Sequence, residues 1–138
     1  RSRPEVQCVN PVAELTDDRE RESPNTVKTV YSLSGRVLYF SRLPIPSDRA
    51  NRRTVPCMRQ VPILGFRSEF AIALSKLPMG PNELQEGTDT MRAIEHDLPV
   101  HVLETKHQTV GVDVPEDVAI VEELLKNDPV YRLYKDSR

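Results

Sequence analysis

The sequence predicts a mixed fold, α/β or α+β, and three observations carry that reading. Apolar stretches in the first half come in pairs, two of them joined by a short Ser34-Gly35 link, which is the pattern of a β-hairpin. The second half reads helix, helix, strand, helix, with prolines at first helical positions. The chain has 138 residues, 38% hydrophobic and 29% charged, which suits one soluble domain with a core.

Each element has a local reason. Residues 6–12 are valine-rich and partly alternating, so they read as a strand. Residues 14–23 are dense in charge without apolar periodicity and read as a loop or short frayed helix, closed by Pro24-Asn25. Residues 26–33 and 36–42 are the two hairpin strands, ended by Pro44 and Pro46, because proline cannot donate to a ladder. Residues 47–54 are polar and basic, a surface loop.

Residues 55–66 are apolar but contain Pro56 and Pro62, which predicts a strand with an irregular edge or bulge. Ser68 can cap a helix over 69–77, with Phe70, Ala73, Leu74 and Leu77 on its buried side. A further helix starts at Pro81 and runs to about His96, with Leu84, Thr88, Met91 and Ile94 or Glu95 as its core stripe. Gly87 weakens it midway. Residues 99–104 alternate as a strand, and 110–112 are a short extended piece. Pro115 opens the next helix, with Val118, Val121, Leu124 and Leu125 as its stripe, and Asp128-Pro129 restarts a last helical turn or two.

Composition excludes several function classes. Nineteen Lys and Arg stand against 21 Asp and Glu, a net charge of −2, so there is no electrostatic footprint for nucleic acid. No apolar run approaches membrane-spanning length and no charged-then-apolar leader opens the sequence, so the expectation is a cytoplasmic protein without membrane contact. Cys8 and Cys57 form no CxxC pair and sit in apolar stretches, as buried thiols of a reducing compartment do. The five glycines do not cluster, so a Gly-rich phosphate loop is absent. His96, His101 and His107 lack metal-ligand spacing.

Five motifs nevertheless occur together and in order. They are Pro24-Asn25 followed by Val27-Lys28; Leu38-Tyr39-Phe40-Ser41-Arg42 followed by Pro44-Ile45-Pro46; Gly65-Phe66-Arg67; Met91-Arg92-Ala93-Ile94-Glu95; and Gly111-Val112-Asp113-Val114-Pro115-Glu116-Asp117. This set resembles the 3-deoxy-manno-octulosonate cytidylyltransferase, or CMP-Kdo synthetase, family, and only the C-terminal half of its pattern. The resemblance implies the C-terminal part of a Rossmann-like nucleotidyltransferase fold with an antiparallel β-hairpin used for dimerisation. Residues 1–138 are then one partial domain, the sugar-binding and dimerisation half. The nucleotide-binding N-terminal half, with its basic phosphate loop and Asp-containing metal motif, has no counterpart. A homodimer is expected, with Val37, Tyr39 and Ile45 around the hairpin supplying the contact.

The reaction implied is attack of an acidic sugar's anomeric hydroxyl on the α-phosphorus of CTP, with release of pyrophosphate. It needs Mg²⁺ and positioning. By resemblance Asp113 is a metal-binding carboxylate; from its position alone it could as well complement the following helix N-terminus. Arg42 matches a residue suited to gripping the sugar's carboxylate with its guanidinium fork, the alternative being a surface salt bridge. Asp113 and Arg42 are expected to face one cleft. Asp89, followed by Thr90, stands where the family has Glu followed by Gln, and is a candidate for sugar hydroxyls; the alternative is an i,i+3 pair with Arg92. Gln60 and Leu64 stand where the family has His and Tyr. Gln60 can still hydrogen-bond sugar and Leu64 cannot, which points to a divergent sugar or weakened activity, while a plain structural role for both stays open. Two functions follow: an acidic-sugar cytidylyltransferase as part of a longer enzyme, or a non-catalytic, truncated or divergent module for sugar-acid binding or dimerisation.

Overall fold

The computed structural model describes residues 4–48, 55–107, 112 and 115–135, in two units, 1–107 and 108–138. The first unit is built on β1 (Cys8–Glu14), whose Cys8, Asn10 and Val12 are buried. After it come α1 (Asp18–Glu22), the hairpin β2 (Lys28–Tyr31) and β3 (Val37–Ser41), β4 (Met58–Gln60), β5 (Gly65–Phe66), α2 (Ser68–Ser75), α3 (Pro81–Glu86), α4 (Thr90–Glu95) and β6 (Val100–Glu104). The sheet runs β3-β2-β4-β1-β5, and β6 also pairs with β1. The β1–β6 pair is parallel, from Cys8 opposite Val100 to Val12 opposite Glu104, and the other pairs are antiparallel. The sheet is therefore mixed, as the paired strands required.

The hairpin forms as predicted, with Gly35 at φ +82° in its turn. A left-handed residue costs glycine little and other residues more. The Gly35 carbonyl accepts from the Val102 backbone at 2.8 Å and Arg36 bridges His101, so the turn rests against β6.

The irregular strand expected over 55–66 is two strands, β4 and β5, both against β1. Pro62 sits in the gap between them and cannot donate. The Asn10 amide crosses that gap and donates to the carbonyls of Val61 at 2.8 Å and Ile63 at 2.9 Å. Asn10 is fully buried, so its side chain satisfies two carbonyls that the broken ladder would leave unpaired. The core beneath the sheet joins Cys8, Val37, Phe40, Phe70, Met91, Ala93 and Val100.

Three expectations are corrected here. Ser68 is the first residue of α2 and not its cap. Arg67 is still extended, bonds the Gln7 carbonyl and holds the cap position, so the helix starts at Ser68, one residue earlier than expected. On α2 Phe70 is buried, but Ala73 is exposed. The single helix expected from Pro81 to His96 is two, because Gly87 turns left-handed at φ +60° and closes α3 through its N–H to the Glu83 carbonyl. With the phase reset, Thr88 and Met91 stay buried, while Leu84 is 67% exposed and Glu83 takes the inward place.

The second unit holds α5 (Pro115–Asn127) and α6 (Pro129–Lys135). The Asp128 carboxylate accepts from the Val130 and Tyr131 backbones at 2.8 Å, a cap for the helix that Pro129 opens. The apolar stripe of α5 is present by spacing, but Val118 and Leu124 are exposed, since a two-helix unit offers little apolar surface to cover it. The extended piece expected at 110–112 lies mostly outside the described residues.

Candidate functional site

The break at Gly87 creates the site, because it folds α3 back against α4 and lets side chains nine or more residues apart meet. Arg92 donates from Nε and Nη2 to the two carboxylate oxygens of Glu83, at 2.8 and 2.6 Å. Glu83 is 3% exposed, and the guanidinium beside it holds its carboxyl below the usual range against the opposing effect of burial. The Glu95 carboxylate caps α3, accepting from the backbones of Asn82 at 2.8 Å and Glu83 at 2.9 Å. Gly80 is buried directly beneath that carboxylate, where a Cβ would collide with it.

The same turn receives the end of the hairpin. The Glu86 carboxylate accepts from the Arg42 backbone at 2.8 Å, the Ser41 hydroxyl at 3.2 Å and the Tyr39 hydroxyl at 3.3 Å. Arg42 in turn donates from Nε to the Glu86 carbonyl at 2.7 Å, from Nη1 to the Pro24 carbonyl at 2.7 Å and from Nη2 to the Gly87 carbonyl at 3.2 Å. At least three of the five guanidinium N–H donors therefore hold backbone in place. No carboxylate salt bridge of the kind posed as the alternative is among these contacts. Lys28 is fully buried next to them and donates to the carbonyls of Ser23 at 2.5 Å and Arg42 at 2.7 Å; desolvation pulls its pKa down.

Gln60 and Asp89 are brought to one place. Gln60 donates from Nε2 to the Thr90 hydroxyl at 3.0 Å, and Thr90 shares a 3.2 Å hydrogen bond with Thr88. Asp89, at the N-cap of α4, makes no cap hydrogen bond and is exposed. The i,i+3 ion pair posed for it is not what forms, since the Arg92 fork is on Glu83. Asp89, Thr90 and Leu64 line a cavity of about 220 Å³ with Phe66, Phe70 and Leu74. A larger cleft of about 720 Å³, between the hairpin and the Glu104 end of β6, is lined by none of the three described candidates, Arg42, Gln60 and Asp89.

Asp113 lies outside the described residues, so its placement relative to Arg42 is not described. Among the described residues, no group of three or more His, Cys, Asp or Glu could hold a metal ion.

A family model described as Cytidylyltransferase matches residues 1–110. The chain belongs to the cytidylyltransferase family. Among curated relatives it is 38% identical to the 3-deoxy-manno-octulosonate cytidylyltransferase of Solibacter usitatus over 112 residues, covering 81% of this chain and 44% of that protein. It is 35% identical to the enzyme of the same name from Chlorobium phaeobacteroides over 114 residues, covering 83% and 46%. The chain thus spans about half the length of the curated relatives it matches. A solved structure of CMP:2-keto-3-deoxy-manno-octonic acid synthetase complexed with CTP superposes with a TM-score of 0.81 at 26% identity, covering 90% of this chain and 51% of that one.

Sequence reasoning missed Glu83, Glu86, Glu95 and Asn10. Gly87 was the available signal for the first three, because a helix broken there cannot keep a continuous i,i+3 face. Asn10 carried only the signal of a lone amide in a valine-rich strand. The hairpin face expected for dimerisation is also corrected: Val37 is in the core at 3% exposure, and Tyr39 is half-buried and bonded to Glu86. Alternation along β3 turns Leu38 outward, and Leu43 beyond the strand end is exposed with it.

Proposed function

We propose that this chain is the sugar-recognition part of a longer cytidylyltransferase that activates an acidic sugar, Kdo or a related ulosonic acid, with CTP to give a CMP-sugar and pyrophosphate. What carries the reading is the meeting of Asp89, Leu64 and the Gln60–Thr90 pair at one cavity, in a chain whose family model spans residues 1–110. The relatives' name and the CTP complex of the structural neighbour support the substrate pair.

In this reading the cavity holds the sugar. Asp89 accepts from it, and Gln60 positions Thr90 beside it. Arg42 fixes the hairpin end to the Gly87 turn, two residues before Asp89, and its remaining N–H donors meet the sugar's carboxylate. Mg²⁺ would neutralise charge on the phosphates, and Asp113 is the carboxylate we propose for it, on the strength of its motif.

The full-length protein that carries this chain is expected to release one pyrophosphate per CMP-sugar when given CTP, Mg²⁺ and a ulosonic acid. Absence of pyrophosphate release across a panel of acidic sugars, with sugar binding retained, would establish the non-catalytic binding module instead. We further propose a homodimer through the exposed side of the hairpin. Leu38→Asp with Leu43→Asp should convert it to a monomer in sedimentation velocity, and an unchanged dimer would place the interface elsewhere.

A further inference from the structure

Resting on the sugar-activating reading above, we infer that Glu86 is a positioning residue for that reaction: its carboxylate sets the place of Arg42, and with it the hold on the sugar's carboxylate, without touching substrate.

Hairpin and helices bring their parts of the proposed site separately. Arg42 stands just past the end of β3, and Asp89 and Thr90 stand at the start of α4. Glu86, 44 positions along the chain from Arg42, joins the two in both directions. Its carboxylate accepts from the Arg42 N–H at 2.8 Å, and its carbonyl accepts from the Arg42 Nε at 2.7 Å. The same carboxylate takes the hydroxyls of Ser41 and Tyr39, so it holds the end of β3 by side chains and backbone alike. The carbonyl of Arg42 is held from the other side, where the buried Lys28 ammonium donates to it at 2.7 Å. Both backbone polar groups of Arg42 therefore end on a charged side chain, which fixes the root of its guanidinium.

Where the charge goes decides the role. A carboxylate beside an arginine ordinarily pairs with the guanidinium. Here the Glu86 oxygens are on a backbone N–H and two hydroxyls, and the guanidinium contacts run to the carbonyls of Glu86, Pro24 and Gly87. The fork is thus aimed by neutral acceptors and keeps its positive charge for an anionic ligand. A group ordered before its ligand arrives costs no entropy on binding, so affinity depends on that aim.

Reach, and not charge, is what this role asks of residue 86. One oxygen must accept the Arg42 N–H, while the other terminal atom meets two hydroxyls, which can turn to accept as well as donate. Glutamine meets both demands. Aspartate keeps the charge and ends one methylene short.

Steady-state kinetics of pyrophosphate release by the full-length protein, with CTP and Kdo varied in turn, compares Glu86→Gln with Glu86→Asp. Glu86→Asp should raise the KM for Kdo at least about tenfold and leave kcat and the KM for CTP within about twofold, because the sugar's carboxylate is held equally before and during the reaction. Glu86→Gln should stay within about threefold of the parent in all three constants. A parental KM for Kdo in Glu86→Asp, even with a lowered melting temperature, would overturn the inference and leave Glu86 a residue of the scaffold. Equal impairment of Glu86→Gln and Glu86→Asp would overturn it in favour of charge. A rise shared equally by CTP and Kdo, or a fall in kcat alone, would overturn it too, since the effect would not run through Arg42. Should Glu86→Asp not fold, Ser41→Ala with Tyr39→Phe removes two donors to the carboxylate and should raise the KM for Kdo about threefold, and no rise would overturn the inference. These outcomes all leave sugar activation standing. An unaltered protein that releases no pyrophosphate with any ulosonic acid would sink both.

Discussion

Replacing Arg42 with lysine separates what this residue does for the scaffold from what it does for substrate. Lysine keeps the charge and loses the planar fork. One ammonium at the end of a flexible stem cannot reproduce the present contacts, which run to the carbonyls of Glu86, Pro24 and Gly87 from three different nitrogens. Hydrogen bonds from a charged donor contribute roughly 1.5–3 kcal/mol each when shielded from water, and less when exposed. The Glu86 contact is partly buried and the other two are exposed, so a lysine that recovers one of them should cost about 2 kcal/mol. With roughly 2.1 cal/mol/K of unfolding entropy per residue, the melting temperature should fall by about 7–9 °C. Differential scanning calorimetry at pH 7 measures it. A melting temperature within about 2 °C of the parent, with sugar affinity reduced, would refute the reasoning and leave Arg42 as a substrate contact alone.

Two further expectations concern titrating groups. The Glu83 carboxyl is held below its ordinary range by Arg92, so its stabilising contribution is complete above the unfolded carboxyl value of about 4.3 and disappears as pH falls through the folded value. The urea midpoint of the parent should therefore drop more steeply between pH 5 and pH 3 than that of Glu83→Gln, and parallel profiles would show that the pair adds no pH dependence. The Cys8 thiol is pushed up to about 11 by burial, so almost no thiolate exists at pH 8 and access is closed. Both thiols should react with a disulfide reagent at that pH only after denaturation, and rapid labelling of native protein would contradict their placement.

How much was legible in the sequence follows from the range over which each feature is encoded. The hairpin, its Gly35 turn and the start of α5 at Pro115 are written in a few neighbouring residues and appear as read, while the irregularity expected around Pro62 is a full break into two strands. The motif series was sufficient for the family, because order along the chain survives changes in individual contacts. The position of Gly87 was visible too, but not its consequence. A glycine inside a helical pattern says that the helix is weakened, while whether it bends, frays or reverses depends on what the next segment packs against.

The tertiary structure alone decided the partners. Arg92 chose Glu83, nine residues back, over Asp89, three residues back, because the left-handed turn at Gly87 brings α3 over α4 and leaves Glu83 buried with no water to solvate its charge. Arg42 spends its fork on three carbonyls, and Gln60 spends its amide on Thr90, through contacts between residues 18 to 45 positions apart. Side-chain type bounds what a residue can donate or accept. Which of those bonds it makes is settled by burial and by the backbone groups left unpaired nearby, and these exist only once distant segments have met.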